Sequence, residues 1–158
     1  MINVYTVSFF GHRELSDAFE AERRLEKLVG ELIRTKEYVE FLVGHNGDFD
    51  TLASSVIRRE MSANDYGNAS LILVLPYLTA EYLNNEESFK AYYNEIEICE
   101  KSADAHFRAA IQIRNRYMID RSDLAVCYVE RKGGGAYNAL RYAEKNKIPF
   151  INLALSDL

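Results

Sequence analysis

The sequence predicts an α/β protein of three layers, with a mainly parallel sheet and helices on both faces. Three observations carry that prediction. Strand-length apolar runs alternate with amphipathic helical stretches, reading β-α-β-α-β through the first half of the chain. Several strand runs stop at a glycine followed by a polar turn, and one ends in Gly133-Gly134-Gly135, which opens another helical pattern. The 158 residues combine 48% hydrophobic with 27% charged residues, the balance of a soluble chain long enough for one core.

Residues 4–10 (Val-Tyr-Thr-Val-Ser-Phe-Phe) are rich in β-formers and stop at Gly11. Gly11-His12-Arg13-Glu14 reads as a turn, and Ser16 as the N-cap of a helix with Asp17 and Glu20 in its first turn. Leu25, Leu28, Val29 and Leu32 recur at helical spacing. Residues 38–43 form a second strand ending at Gly44. The turn from His45 to Thr51 leads to a helix carrying Leu52, Ala53, Val56, Ile57 and Met61. Residues 70–75 form a third strand, closed by Pro76.

Residues 77–104 are less regular, with a short strand expected at 96–99, and read as an insertion or lid over the carboxyl ends of the strands. A helix follows at about 105–119, with Arg108, Arg114, Asn115 and Arg116 upon it. Then come a strand at 123–129, the glycines, a helix to Asn146 and a last strand at 148–153. No repeat or linker divides the chain, so one domain over 1–158 is expected.

Composition bounds function. No apolar run approaches the roughly 18 residues of a membrane span. The amino-terminal stretch lacks the basic flank and cleavage site of a signal peptide. Cys99 and Cys127 sit far apart in apolar patterns, which points to reduced thiols in a cytoplasmic protein. His12, His45 and His106 lack zinc-site spacing, so no metal is expected; no cofactor is expected either. The P-loop pattern, the nucleophile-elbow pattern and the dinucleotide fingerprint are all missing. A net charge of −5 argues against nucleic acid as a partner.

In an open parallel sheet, ligands sit beyond the carboxyl ends of the strands, near the point where strand order reverses. The first strand and the strand at 123–129 are expected to be neighbours there, so their glycine turns would face one crevice. The candidate ligand-binding residues are Gly11, His12, Arg13, Gly44, Asp48, Asp50, Asn115, Arg116, Gly133, Gly134, Gly135 and Tyr137. The glycines let backbone approach an anion at a helix start. Arg13 offers a planar fork to phosphate, or pairs with Glu14 or Asp17. His12 bonds a base or ribose, acts as an acid or base, or caps its turn. Asp48 and Asp50 bind ribose hydroxyls or cap the second helix. Arg116 closes over an anion or pairs with Asp120, and Tyr137 stacks on a base or packs in the core.

Four segments in order carry a resemblance: residues 9–13, 44–50, 114–123 and 133–143. Together they resemble the SLOG superfamily, most closely its YpsA-like branch. The resemblance covers most of the chain except residues 77–104. It implies a Rossmann-like fold, a nucleotide or nucleotide-derived ligand held by the first-strand turn and the glycine loop, and a homodimer or larger homo-oligomer. The superfamily also contains the Lonely Guy phosphoribohydrolases, with a P-G-G-x-G-T-x-x-E loop. Here Lys132, Ala136 and Tyr137 replace the proline, a glycine and the threonine, and Leu140 stands at the glutamate position. Leucine is neither acid nor base, so binding is the expected activity. An N-glycosidase that draws a carboxylate from Glu40, Asp48 or Asp50 is the alternative, and an interaction protein with a vestigial pocket the third. Another relative, DNA processing protein A, binds single-stranded DNA, a use that the acidic net charge argues against.

Overall fold

The structure, a computed structural model, describes residues 1–155; residues 156–158 of the expected domain lie outside it. Six strands form one sheet in the order β4-β3-β2-β1-β5-β6, and every pairing is parallel. They are β1 (Val4–Gly11), β2 (Tyr38–Val43), β3 (Ala69–Leu75), β4 (Glu95–Ile98), β5 (Leu124–Tyr128) and β6 (Phe150–Asn152). The chain winds outward from β1 to β4, crosses back, and resumes at β5 on the other side of β1. Order therefore reverses between β1 and β5, where Phe10 lies level with Cys127 and Gly11 with Tyr128. The fold class expected from the sequence is the one observed.

One face carries α1 (Ala18–Thr35) and α2 (Asp48–Ala63), and the other α5 (Phe107–Asp120) and α6 (Gly134–Lys145). The alternation of strand side chains explains both cores. Val7 and Phe9 of β1 point toward Leu25, Val29 and Val56, whereas Phe10 points toward Met118, Ala136 and Ala139. Alanine lines the inner stripe of α6, at 136, 139 and 143, so that helix lies close to the sheet.

Residues 77–104 contain α3 (Ala80–Asn84), α4 (Glu86–Tyr92) and β4. Tyr82, Phe89 and Tyr93 from this segment are buried in the core on the α1–α2 side, and Ile72 to Leu75 pair with Glu95 to Ile98. Cys99 and Cys127 are free and buried, and burial pushes the Cys127 thiol up to about 12. Among the described residues no helix is long and apolar enough to cross a membrane, and no cluster of His, Cys, Asp and Glu fits a metal ion.

Two local expectations are corrected. The N-cap of α1 is Asp17, whose carboxylate accepts from the Glu20 N–H at 3.0 Å; Ser16 lies one residue outside and donates to Glu130 instead. The N-cap of α2 is Gly47, not Asp48. The helix begins one residue earlier than Asp48 needs to act as cap. Asp50, in the first turn, reaches back to accept from the Asn46 N–H at 2.8 Å.

Candidate functional site

The carboxyl ends of β1, β2 and β5 open into a crevice of about 660 Å³, roofed by the start of α5. Three turns wall it, and hydrogen bonds between turns hold them in register. The Asp48 N–H donates to the Arg13 carbonyl at 2.8 Å, joining the β1–α1 and β2–α2 turns. The Glu130 N–H donates to His12 Nε2 at 3.0 Å, joining the β1–α1 and β5–α6 turns. His12 is only 5% exposed, and as an acceptor at Nε2 it must be neutral with its proton on Nδ1. Burial lowers its pKa, helped by the Arg131 charge and opposed by Glu130. The turn-bridging role of His12 is thus a consequence of its burial.

One close approach and one backbone conformation explain the glycines here. Phe49 packs so tightly under Gly11 that a β-carbon there would lie 2.1 Å from the phenyl Cγ. Gly133 and Gly134 adopt φ of 97° and 87°, a region that L side chains disfavour, and open space surrounds both. Gly133 is the N-cap of α6 and supplies no side chain to the first N–H groups of that helix. Those donors and the positive end of the helix dipole are left facing the crevice.

The β2–α2 wall is built differently. Arg114 of α5 is 3% exposed, and each nitrogen of its guanidinium makes one hydrogen bond. It donates to the Val74 carbonyl at 2.8 Å, to Asn46 Oδ1 at 3.0 Å and to Asn115 Oδ1 at 2.9 Å. Gly44 lies between Arg114 and Asp50. Burial raises the Asp50 pKa, opposed by the Arg114 charge, the Asn46 N–H and His45. This wall is a finished hydrogen-bonded unit. By contrast, Arg13, Arg108, Arg131 and Lys132 line the crevice exposed, with no ion pair among the described residues.

Of the residues singled out from sequence, the crevice brings together Gly11, His12, Arg13, Gly44, Asp50, Asn115, Gly133, Gly134 and Gly135. Three lie elsewhere. Asp48 is exposed on the first turn of α2. Arg116 turns to the outer side of α5, its guanidinium 5.3 Å from the centre of the Tyr142 ring, while Tyr142 donates to Asp120 at 2.7 Å. Tyr137 packs partly buried against the α5–α6 core, as does Leu140. Sequence reasoning named Asn46 and Arg114 only within their segments, without making them candidate ligand residues, and passed over Asn152. Asn152 grips the exit of β5 with both amide atoms, accepting from the Val129 N–H and donating to the Val129 carbonyl, each at 3.0 Å. Arg114 carried a readable signal: with Ala110 and Met118 it forms a stripe spaced by four, and its neighbours on that stripe are apolar.

Comparison with known proteins gives likeness of fold. No family model matches the chain, and no curated protein matches it significantly. A structure of DNA processing protein A from Helicobacter pylori, described for its single-stranded DNA binding mode, superposes with a TM-score of 0.64 at 19% identity over 92% of this chain. DNA processing protein A from Streptococcus pneumoniae superposes with a TM-score of 0.64 at 14% identity over 93%. The chain spans 63% and 49% of the lengths of those two proteins. The expectation that nucleic acid is an unlikely partner is therefore corrected, because a protein that binds single-stranded DNA shares this Rossmann-like fold. Net charge misled because it sums the whole surface. Of the 24 acidic residues only Asp50 lines the crevice among the described residues, whereas four exposed cations stand together there. At these identities the likeness is one of fold, a Rossmann-like sheet shared with DNA processing protein A.

Proposed function

We propose that the chain binds a nucleotide-derived ligand through its phosphate in this crevice. One observation carries the reading: the uncapped start of α6 and four exposed cations, unpaired among the described residues, face the same cavity. Backbone N–H groups and a helix dipole stabilise an anion there, and the cations concentrate it. The volume suits a ligand of nucleotide size. The SLOG resemblance and its YpsA-like branch belong to this reading, as do a cytoplasmic setting and a homo-oligomeric state.

A second form of the ligand, the phosphate backbone of a single strand, is favoured by the open mouth of the crevice and by the fold shared with a protein that binds single-stranded DNA. Calorimetric titration separates the two. AMP and ADP binding as tightly as a thymidine oligonucleotide marks a mononucleotide site. A much tighter oligonucleotide, with affinity falling steeply as salt rises, marks a strand. Either way, Arg13→Ala combined with Gly134→Asp should weaken binding by at least about tenfold. Unchanged affinity in that double variant would overturn the crevice reading.

The hydrolytic alternative rests on Asp50, the one carboxylate lining the crevice among the described residues. Its Oδ2 already accepts the Asn46 N–H, which favours a structural role. Release of adenine from AMP would establish hydrolysis; a flat chromatogram leaves binding.

A further inference from the structure

A second cavity, of about 420 Å³, lies behind the β2–α2 turn, between α2 and the α3–α4 pair. Gly44 and Asn46 face the crevice, whereas His45, between them in sequence, faces this cavity. Its floor is aromatic. The Phe89 and Tyr93 rings stack 6.1 Å apart at 22°, and Tyr92 meets Tyr93 edge-on at 4.8 Å. Arg58 covers one face of Tyr92 from outside, 4.2 Å from the ring centre.

The polar groups form a graded series. His45 Nε2 donates to Glu81 at 2.9 Å, so its Nδ1 is left as the acceptor facing the Tyr93 hydroxyl at 3.4 Å. The Glu81 carboxylate is thereby held at one oxygen. Burial pushes Tyr93 up to about 12, so it stays a neutral donor. Next to it stands Ser54, 2% exposed, close enough to the Tyr93 hydroxyl to moderate that rise but with its own hydroxyl outside hydrogen-bonding geometry. A buried hydroxyl without a partner is unfavourable and rare in folded proteins. Here it lines a cavity that also presents the side chains of Asn85 and Ser88.

We propose that this cavity binds a neutral, planar heterocycle of the nucleobase kind. The ring would lie against the Phe89–Tyr92–Tyr93 floor, and its polar edge would supply the partner that Ser54 lacks. Aromatic side chains receive flat rings with little loss of freedom. Apart from the Glu81 carboxylate held by His45, the hydrogen-bonding groups on offer are neutral, and among the described residues no Lys or Arg lines the cavity to attract a phosphate. Its volume falls within the range of about 300–1,000 Å³ for small-molecule sites. The proposal stands apart from the phosphate crevice and does not depend on it.

The test titrates the whole protein with adenine and with uracil, following saturation transfer to the ligand and the imidazole signals of His45. Benzyl alcohol serves as a ring without the heterocyclic edge. The expected result is binding of at least one base at or below about 10 mM, with the His45 signals moving and the benzyl alcohol weaker. Ser54→Ala should weaken the base by about fivefold or more without lowering the melting temperature, because the lost hydroxyl bonded nothing in the free protein. Three results would each overturn the proposal: no binding of either base, equal binding by Ser54→Ala, or a fall in melting temperature on that substitution. Loss of phosphate binding in Arg13→Ala/Gly134→Asp would leave the base titration unchanged, so the two readings fail separately.

Discussion

At its carboxyl end α5 hands Arg121 to Glu97 at 2.6 Å and to Glu40 at 3.1 Å, while at its amino end it leaves Arg108 exposed over the crevice. Glu40 in turn accepts from the Thr6 hydroxyl at 2.8 Å, and Tyr117 accepts from Arg121 at 3.0 Å. These groups tie one end of the helix across β1, β2 and β4, and every charge in the set has a partner. The other end stands beside Arg13, Arg131 and Lys132, whose charges have none among the described residues. The same residue type thus serves two purposes on one helix. Where the arginine is paired it fixes the helix on the sheet; where it is unpaired it keeps a field directed at an incoming anion. Arg114 sits at the crevice end and yet belongs with the paired class, because each of its three guanidinium nitrogens already donates to a protein atom.

That assignment gives the largest expected effect. Arg114→Leu strands the Val74 carbonyl and the Asn46 amide and removes the charge beside Asp50, so unfolding free energy should fall by about 3 kcal/mol in a denaturant titration. A loss below about 0.5 kcal/mol would move Arg114 into the binding class. Next comes a double dissociation. Arg121→Met should cost about 1–2 kcal/mol and leave nucleotide affinity alone, since its partners are far from the crevice. Arg131→Ala with Lys132→Ala should change stability by less than about 0.5 kcal/mol yet weaken the nucleotide several-fold. If both variants change both quantities, the division between the two ends of α5 fails.

The smallest effect is one of pH. His12 has its folded pKa lowered below the ordinary 6.5, so protons bind the unfolded chain more readily. Its contribution to stability is complete above about pH 6.5 and is lost as pH falls through that value toward the folded pKa. Protonation also removes the acceptor for the Glu130 N–H. His12→Gln should flatten the decline in melting temperature between about pH 7 and pH 5 relative to the unaltered protein. An identical decline in both would show that His12 does not bridge the turns.

Much of this fold was legible because the signals are local. β1, β2, β3 and β5 are apolar runs with glycine or proline at their exits, and the leucine spacing of α1 is unbroken. The adjacency of β1 and β5 was expected from the switch point of an open parallel sheet, with no contact needed. The site was harder, because charge type was readable but helical phase was not used. Arg114 and Arg116 are two positions apart, about 200° around a helix, and so face opposite ways. The inward stripe of Ala110, Arg114 and Met118 decides between them. Asp48 and Asp50 pose the same problem, solved by the burial of Phe49 and Ala53 beside them. Which cations would stay unpaired could not be read, since pairing depends on side chains distant in sequence, as with Glu40 and Arg121.

The two thiols make a practical tool of this chain. Cys127 is wholly buried with a pKa near 12, and Cys99 is 2% exposed, so neither offers a thiolate to an alkylating probe while the protein is folded. A cysteine introduced at Lys132 would then be the single reactive handle, placed on the rim of the glycine loop. The sequence has no tryptophan, so a dye attached there would report without competing indole fluorescence. Its emission would record arrival of a ligand in real time, and its rate of attachment would count how often the loop is already occupied in protein taken straight from cells.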